Sequence, residues 1–438
     1  MSISFKNVTF FFVDLLSFFF SLVVALFLRH FLNFNLEILK QHLFPFGVIF
    51  IFWFLIFYIF ELHDFKKISF FKEYSKNYLT AVLISILITV FIFYALPIFS
   101  IAPKTLLLIF ILIFVPLNLE LRNFLLEKFA KLTFKKVALI GMDRDFDEIE
   151  KFLEEHKSLG IKKIENFRNL GEIIETDDYD VYIVSNELLR DEVWSNNLLK
   201  KLLEGKMLVS SLTFIENFLY KIPVDAINEE WVLSYLYSRD DSYEILKRFI
   251  DLLIASIVFA ISLPLWPFII LGIKISSPGP VFFKDKRVGK NEKVFTLYKF
   301  RTMHEINYKK PEEKEIFGVK RGDERVFWFG KILRTLHFDE FPQLINVIKG
   351  DISLVGPRPD TSLFYDYLKE KIQNYRLRTL IKPGITGWAQ INEKTGDSVE
   401  EAKERLAFDL YYLKNRNIIL DLLIILKTLR ILLTFWGK

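Results

Sequence analysis

The residues best suited to chemistry in this 438-residue chain are two adjacent carboxylates, Asp339 and Glu340. They precede Pro342 and an apolar run with helical spacing (Leu344, Ile345, Val347, Ile348) that stops at Gly350. Proline in the first turn and glycine just past the end mark a short helix. The pair then sits at the helix N-terminus, where free N–H groups and the positive dipole end stabilise anions. Seen alone, a carboxylate there is ordinarily a cap. The cations shift that reading. Arg287, Lys299, Arg301, Arg334 and Arg358 each lie in or beside a turn-rich motif. Arginine grips phosphate in bidentate fashion, and lysine serves as a point charge. In Gly-Pro-Arg358-Pro the flanking prolines fix the backbone, so the guanidinium is held at small entropic cost. Several such groups around two carboxylates suggest phosphate chemistry. With no Cys and 6 His, the expected metal ligands are the carboxylates Glu340 and Asp339. They suit a hard cation such as Mg²⁺, bound through one or two carboxylates plus substrate phosphates. The other carboxylate is then free to act as a nucleophile.

Positioning elements must include a membrane. The chain is 52% hydrophobic with 48 Phe, and the excess is concentrated in long runs before residue 120 and one near residue 260. Four transmembrane helices are expected at roughly 8–28, 43–61, 79–99 (ended by Pro97) and 103–119, since about 20 apolar residues cross a bilayer. Lys66, Lys67, Lys72 and Lys76 follow the second; Arg122, Lys128, Lys131, Lys135 and Lys136 follow the fourth. The positive-inside rule then places the N-terminus and everything after residue 120 in the cytoplasm. No cleavable signal peptide is expected, because the first run is too long and lacks a small-residue cleavage site. The absence of Cys excludes disulfides and thiolate chemistry. Basic residues crowd beside apolar runs, which suggests lipid headgroups and phosphates rather than nucleic acid. Asp14 within the first helix reads as snorkelling or helix pairing more than as chemistry.

After the bundle, Val137-Ala-Leu-Ile140 reads as a buried parallel strand running into Gly141. Strands at 162–166 and 180–185 and helices after Phe146 and at 168–175 complete a small Rossmann-like α/β domain, assigned to 135–235. Its first turn lacks the G-x-G-x-x-G fingerprint and carries Asp143, Asp145 and Asp147, which would repel a pyrophosphate. A structural or regulatory module is expected. Next, residues 249–273 form an apolar run broken by Pro264 and Pro267 and basic at both ends. A re-entrant membrane hairpin meets both facts, with Ser262 bonding a freed carbonyl at the break; an ordinary fifth span with a proline kink is the alternative. A mostly helical domain over 245–438 follows, with Pro/Gly turns. Its last helix, Ile418 to Trp436, carries Asp421, Lys427, Thr428, Arg430 and Thr434 close to one face, which suggests a helix lying in the membrane interface; a further span is the alternative.

From Lys247 to about Lys414 the chain resembles the bacterial sugar transferase family, the monotopic polyprenyl-phosphate sugar-1-phosphate transferases. The residues that carry the resemblance are Lys247-Arg248…Asp251, Pro264, Ser277-Pro-Gly-Pro280, Lys299-Phe-Arg301-Thr-Met303, Asp339-Glu340-x-Pro342-Gln343, Gly350-Asp-x-Ser353, Gly356-Pro-Arg358-Pro and Pro383-Gly-Ile-Thr-Gly387. With four helices and an α/β module in front, the whole chain is similar to the long form of the family. The resemblance implies transfer of a sugar 1-phosphate from a UDP-sugar to undecaprenyl phosphate with release of UMP, at the bacterial inner membrane. This is the initiating step of O-antigen, capsule or exopolysaccharide synthesis. It implies Asp339 as nucleophile, Glu340 as Mg²⁺ ligand, and Arg301, Arg334 and Arg358 on phosphates. Short relatives often have Ser-Pro at the hairpin break, where this chain has Ser262-Leu263-Pro264. The competing class is a membrane scaffold or nucleotide sensor with a lapsed transferase domain. The sugar, the pathway and whether the protein is a homodimer stay open at this point.

Overall fold

The structure is a computed structural model that describes residues 3–63, 71–95, 104–131, 135–141, 145–155, 161–167, 179–186, 188, 192–236, 241–304, 325–392 and 398–434. By its internal contacts the chain divides into two units, Met1–Phe214 and Ile215–Lys438.

The first unit opens with four long helices: α1 (Ile3–His30), α2 (Leu36–Ile59), α3 (Phe71–Ala95) and α4 (Lys104–Lys131). Each contains a stretch long and apolar enough to cross a membrane: Val8–His30, Leu36–Ile59, Tyr74–Tyr94 and Lys104–Leu126. The third starts earlier and the fourth runs further than the sequence led us to expect. Pro97, Lys66 and Lys67 lie outside the described residues. Phenylalanine fills the space between helices. Phe18 meets Phe50, Trp53, Phe110 and Phe114 edge-on, the favoured aromatic geometry.

One expectation for this bundle is corrected. Arg122 does not follow the fourth helix; it lies within α4 and is fully buried. Because α4 continues past residue 119, Asn118 and Arg122 share one helical face, four residues apart, and that face meets α1. Arg122 pairs with buried Asp14, its Nε donating to Oδ1 at 2.8 Å, and also donates to the Leu62 carbonyl and the Tyr74 hydroxyl. His63 Nε2 lies 2.7 Å from Asp14 Oδ2, and Asn118 donates to Asp14 Oδ1 at 2.9 Å. The helix-pairing reading of Asp14 therefore holds. A charge in an apolar bundle is tolerated only when paired and hydrogen-bonded.

The rest of this unit is a parallel four-stranded sheet of β1 (Lys135–Ile140), β2 (Ile161–Phe167), β3 (Val181–Val184) and β4 (Met207–Ser210), in the order β2-β1-β3-β4. Helices α5 (Phe146–Glu155) and α6 (Glu192–Leu203) accompany it. Strand β4 was not expected. Asp143 and the helix expected at 168–175 lie outside the described residues.

The second unit begins earlier than the 235–245 junction read from sequence. Ile222, Val224 and Ile227 are buried in the same core as Val355, Tyr375, Leu406 and Leu410. After α7 (Glu229–Leu236), a long apolar segment is divided into α8 (Asp241–Ser262) and α9 (Trp266–Ser276) by a 3₁₀ turn at Leu263–Leu265. The break coincides with Pro264, as its missing N–H requires. Ser262 Oγ donates to the Phe259 carbonyl at 2.8 Å and accepts from Trp266 Nε1. Strands β5 (Phe282–Val288) and β6 (Val294–Phe300) form an antiparallel pair. Then come α10 (Trp328–Thr335), a 3₁₀ turn at Phe338–Glu340, α11 (Gln343–Lys349), β7 (Ser353–Val355), α12 (Ser362–Lys371), β8 (Gly384–Thr386, parallel to β7), α13 (Trp388–Asn392), α14 (Val399–Asn415) and α15 (Ile418–Thr434).

Of the polar stripe of α15, Asp421, Lys427 and Thr428 face protein. Asp421 is buried and accepts from Tyr412, Tyr243 and Lys247; Thr428 bonds Thr386; Lys427 lies over the Trp388 ring. Ile419, Leu422 and Leu429 are left exposed. Trp436 lies outside the described residues.

Candidate active site

Asp339 and Glu340 sit on a tight turn rather than in the first turn of the α-helix itself. α10 ends at Thr335, and His337 reverses the chain in a left-handed conformation with φ of 55°. The 3₁₀ turn Phe338–Glu340 follows, Pro342 caps α11, and Gly350 (φ 90°) ends it. The proline-to-glycine bracket thus delimits α11 as read from sequence, with the carboxylates just ahead of it.

Asn346 fixes α11 against β6. It is fully buried, accepts from the Tyr298 N–H at 3.1 Å, and donates to the Thr296 carbonyl at 2.7 Å and to Asp351. Lys299, the next residue on β6, reaches Glu340 with Nζ 2.7 Å from Oε1. On the other side Arg334 donates from Nε to Thr302 Oγ1 at 2.9 Å. α10 comes this close because Gly330 lies against the Thr302 carbonyl; a Cβ there would be 2.2 Å from that oxygen. Arg358 is exposed on a pinned loop. Gly356 N–H bonds the Thr386 carbonyl, Gly384 N–H bonds the Pro357 carbonyl, and Arg378 donates to the Arg358 carbonyl.

The two neighbouring carboxyls are pushed in opposite directions. Burial raises Asp339 above the usual range, and the Glu340 charge adds to this, against the pull of Lys299 and Arg334. Burial acts on Glu340 the same way, but Lys299 and Arg358 outweigh it and hold that carboxyl at about 2. Of the five cations singled out from sequence, the structure brings Lys299, Arg334 and Arg358 to the pair. It places the other two differently. Arg301 is buried, with Nη1 and Nη2 on the Ser277 hydroxyl and the Ser277 and Pro278 carbonyls. Arg287 pairs with Asp285 and donates to the Pro359 carbonyl. Both guanidiniums brace turns, because carbonyls in Pro-rich turns lack partners within their own strand or helix and need donors from elsewhere.

Among the described residues there is no cluster of three or more acidic or histidine side chains that could cage a metal ion. One ionised carboxylate beside a second suits a hard cation that takes its remaining ligands from substrate oxygens and water. Glu340, with Asp339 beside it, could hold such an ion.

The bacterial sugar transferase family matches residues 242–435, a range that takes in every one of these residues. A UDP-glucose:undecaprenyl-phosphate glucose-1-phosphate transferase of Caulobacter vibrioides is 39% identical over 190 residues, 43% of this chain and 70% of that protein. The chain belongs to the bacterial sugar transferase family. An uncharacterized sugar transferase of Bacillus subtilis is 42% identical over 194 residues, 44% of this chain and 90% of that one. A UDP-N-acetylgalactosamine-undecaprenyl-phosphate N-acetylgalactosaminephosphotransferase of Aeromonas hydrophila is 38% identical over 217 residues, and the match spans half the length of each protein.

Within this family member, sequence reasoning missed the groups that hold the site together. Asn346 was not singled out, standing between the apolar residues Ile345 and Val347. Arg378 was not singled out, although it is buried, pairs with Asp360 and Asp409, and carries the Arg358 carbonyl. Tyr375 donates to Asp360 at 2.7 Å in the same network. The one available signal was Tyr375-Arg-Leu-Arg378 standing just ahead of the Pro383-Gly-Ile-Thr-Gly387 motif.

Proposed function

We propose that the chain transfers a sugar 1-phosphate from a UDP-sugar to undecaprenyl phosphate through a phosphosugar covalently held on Asp339. The observation that carries this reading is the placement of two adjacent carboxyls among three cations: Lys299 Nζ stands 2.7 Å from Glu340 Oε1, Asp339 is buried beside it, and the charges of Arg334 and Arg358 reach the pair. Asp339 attacks the phosphorus that bears the sugar. A carboxylate O–P bond forms, the bridging P–O bond breaks, and UMP leaves with the bridging oxygen. A phosphate oxygen of the acceptor then displaces the carboxylate, giving the diphosphate-linked sugar and restoring Asp339. The order is ping-pong. Lys299, Arg334 and Arg358 neutralise the donor's diphosphate, which otherwise repels an anionic nucleophile, and stabilise charge that develops in the transition state. Mg²⁺, held by Glu340 with Asp339 alongside, would supply further neutralisation of the diphosphate.

The membrane arrangement belongs to the same reading. α8 and α9 form a re-entrant hairpin broken at Leu263–Leu265, with its flanks and the carboxylate pair in the cytoplasm of a bacterial inner membrane. Both arms contact elements of the domain that carries the carboxylate pair, which supports this. Arg248, early in α8, donates to the Val347 and Ile348 carbonyls of α11, while Trp266, at the start of α9, packs edge-on against Phe300 of β6. The exposed apolar residues Ile257, Ile261, Phe268 and Leu271 suit lipid. The direct test is UMP release by the purified chain across a panel of UDP-sugars, with undecaprenyl phosphate present. Release with none of them would sink the proposal; the sugar giving the fastest release identifies the donor.

A further inference from the structure

At the far end of α11 from the carboxylate pair, a cavity of about 60 Å³ is lined by Lys247, Arg248, Lys382 and Arg416, with Glu244 and Asp251 as the acidic groups. At 1.5 Å per residue, α11 separates this cavity from the pair by about 10 Å. The positive charges outnumber the negative. Three of the cations have partners: Arg416 pairs with Glu244, Lys247 with Asp421, and Arg248 with two carbonyls of α11. Lys382 makes no hydrogen bond or close ion pair among the described residues. Its ammonium is half-buried beside Gly350, where a Cβ would meet Lys382 Nζ and Arg248 Nη2, each at 3.4 Å. Burial first, then Arg248 and Lys290, pull its proton affinity down, against the opposing charges of Asp251 and Glu244.

The cavity also has a defined relation to the membrane-facing segment. Its α8 residues occupy the polar first turns, and exposed Ile257 and Ile261 follow two to three turns later on the same helix. Cations where a helix turns from polar to lipid-facing lie at the level of phospholipid headgroups. We infer that this cavity is a second phosphate-binding site, separate from the Asp339–Glu340 centre, and that its ligand is the phosphate of an anionic membrane lipid. An oxyanion there accepts from Lys382 and from the Arg248 donors that α11 leaves unused. It ties the start of α8 and the end of α11 to the membrane surface.

The test is calorimetric titration of the full chain in an uncharged detergent, with dihexanoyl phosphatidylglycerol in one arm and inorganic phosphate in the other. One phosphatidylglycerol should bind per chain. Lys382→Gln should weaken it by about tenfold or more, the worth of one hydrogen bond from a charged donor. Lys382→Arg should keep it, and Arg358→Gln, at the carboxylate centre, should leave it in place. Lys382 has no close partner to orphan, so the Gln variant should melt like the parent without ligand. Weaker binding of inorganic phosphate assigns the site to lipid; equal binding overturns the headgroup assignment in favour of free phosphate. Undiminished phosphatidylglycerol binding by Lys382→Gln, or an equal loss in Arg358→Gln, overturns the site itself.

Discussion

Glu340→Gln tests the electrostatics of the centre without reference to any substrate. The Glu340 carboxyl falls from its usual 4.5 to about 2. At about 1.4 kcal/mol per tenfold change in proton affinity, this corresponds to about 3 kcal/mol favouring the charged form in the folded chain. The side chains of Lys299 and Glu340 are 20% and 22% exposed, so solvent and salt screen part of that attraction. About 2 kcal/mol is a fair expectation for the amide variant at low salt. For a unit of this size it corresponds to a melting point lower by about 4–8 °C. The pH dependence has a definite sign. A depressed carboxyl stabilises the fold above its unfolded value of 4.5 and loses that contribution as pH falls toward about 2. The difference between parent and variant should therefore be full at neutral pH and narrow below about pH 4. The assay is thermal unfolding of the full chain in detergent at a series of pH values. Melting within about 1 °C of the parent at neutral pH would refute the claim that Lys299 and Arg358 hold Glu340 as an anion.

Three further outcomes follow from the same geometry. Arg358→Lys should lower UMP release by about tenfold or more, because an ammonium cannot copy a planar, bidentate grip on phosphate; full activity would remove Arg358 from that role. Asn346→Ala should cost about 1–3 kcal/mol for each buried group it strands at Thr296 and Tyr298, and should lower activity by loosening Lys299. Unchanged stability would show that α11 is fixed to β6 by packing alone. Single Cys probes at Asp241 and Asn291, in a chain with no native Cys, should label from the same side of the membrane, whereas opposite-side labelling would replace the hairpin with a kinked span.

What the sequence disclosed and what it hid divide along a physical line. Long apolar runs disclose helices because a membrane-spanning helix must be apolar along its length. Pro342 and Gly350 disclose the ends of α11, because backbone chemistry fixes where a helix can start and stop. Pairings between distant residues are not legible in this way. Arg122 looked like one more cation after a span, since no local pattern shows that Asp14 waits 108 residues away. The polar stripe of α15 looked like a face for water, yet Asp421 and Thr428 find partners on other elements. The same holds for Arg287 and Arg301. An arginine that braces a turn and an arginine that waits for phosphate look alike in a turn-rich sequence, because both belong beside unpaired backbone. Only the partners tell them apart.

The roles of the two carboxylates follow from the same kind of partner count, and that count leads to a last prediction. A 3₁₀ turn has about three residues per turn, so the side chains of neighbouring residues diverge by about a third of a circle. One carboxyl can therefore be half-exposed to the cations while the next points into a buried place. Glu340 has Lys299 on one oxygen and is held at about 2; so weak a base is a poor nucleophile but a good anchor for positive charge. Asp339, raised by burial, is the more basic and the better attacking group once ionised. Activity should accordingly fall as pH drops through the raised Asp339 value, since the neutral acid is a far weaker nucleophile toward phosphorus than the carboxylate. The raised value also means that the ionised form is the costly one in the folded chain. Asp339→Asn should then melt no lower than the parent while losing at least about three orders of magnitude in UMP release. Incubation with donor and no acceptor, followed by digestion, should find a sugar-phosphate mass on residue 339. Glu340→Gln should form the same adduct more slowly, and Asp339→Asn should form none. An adduct on Glu340, or rapid UMP release by Asp339→Asn, would reverse or abolish this division of labour.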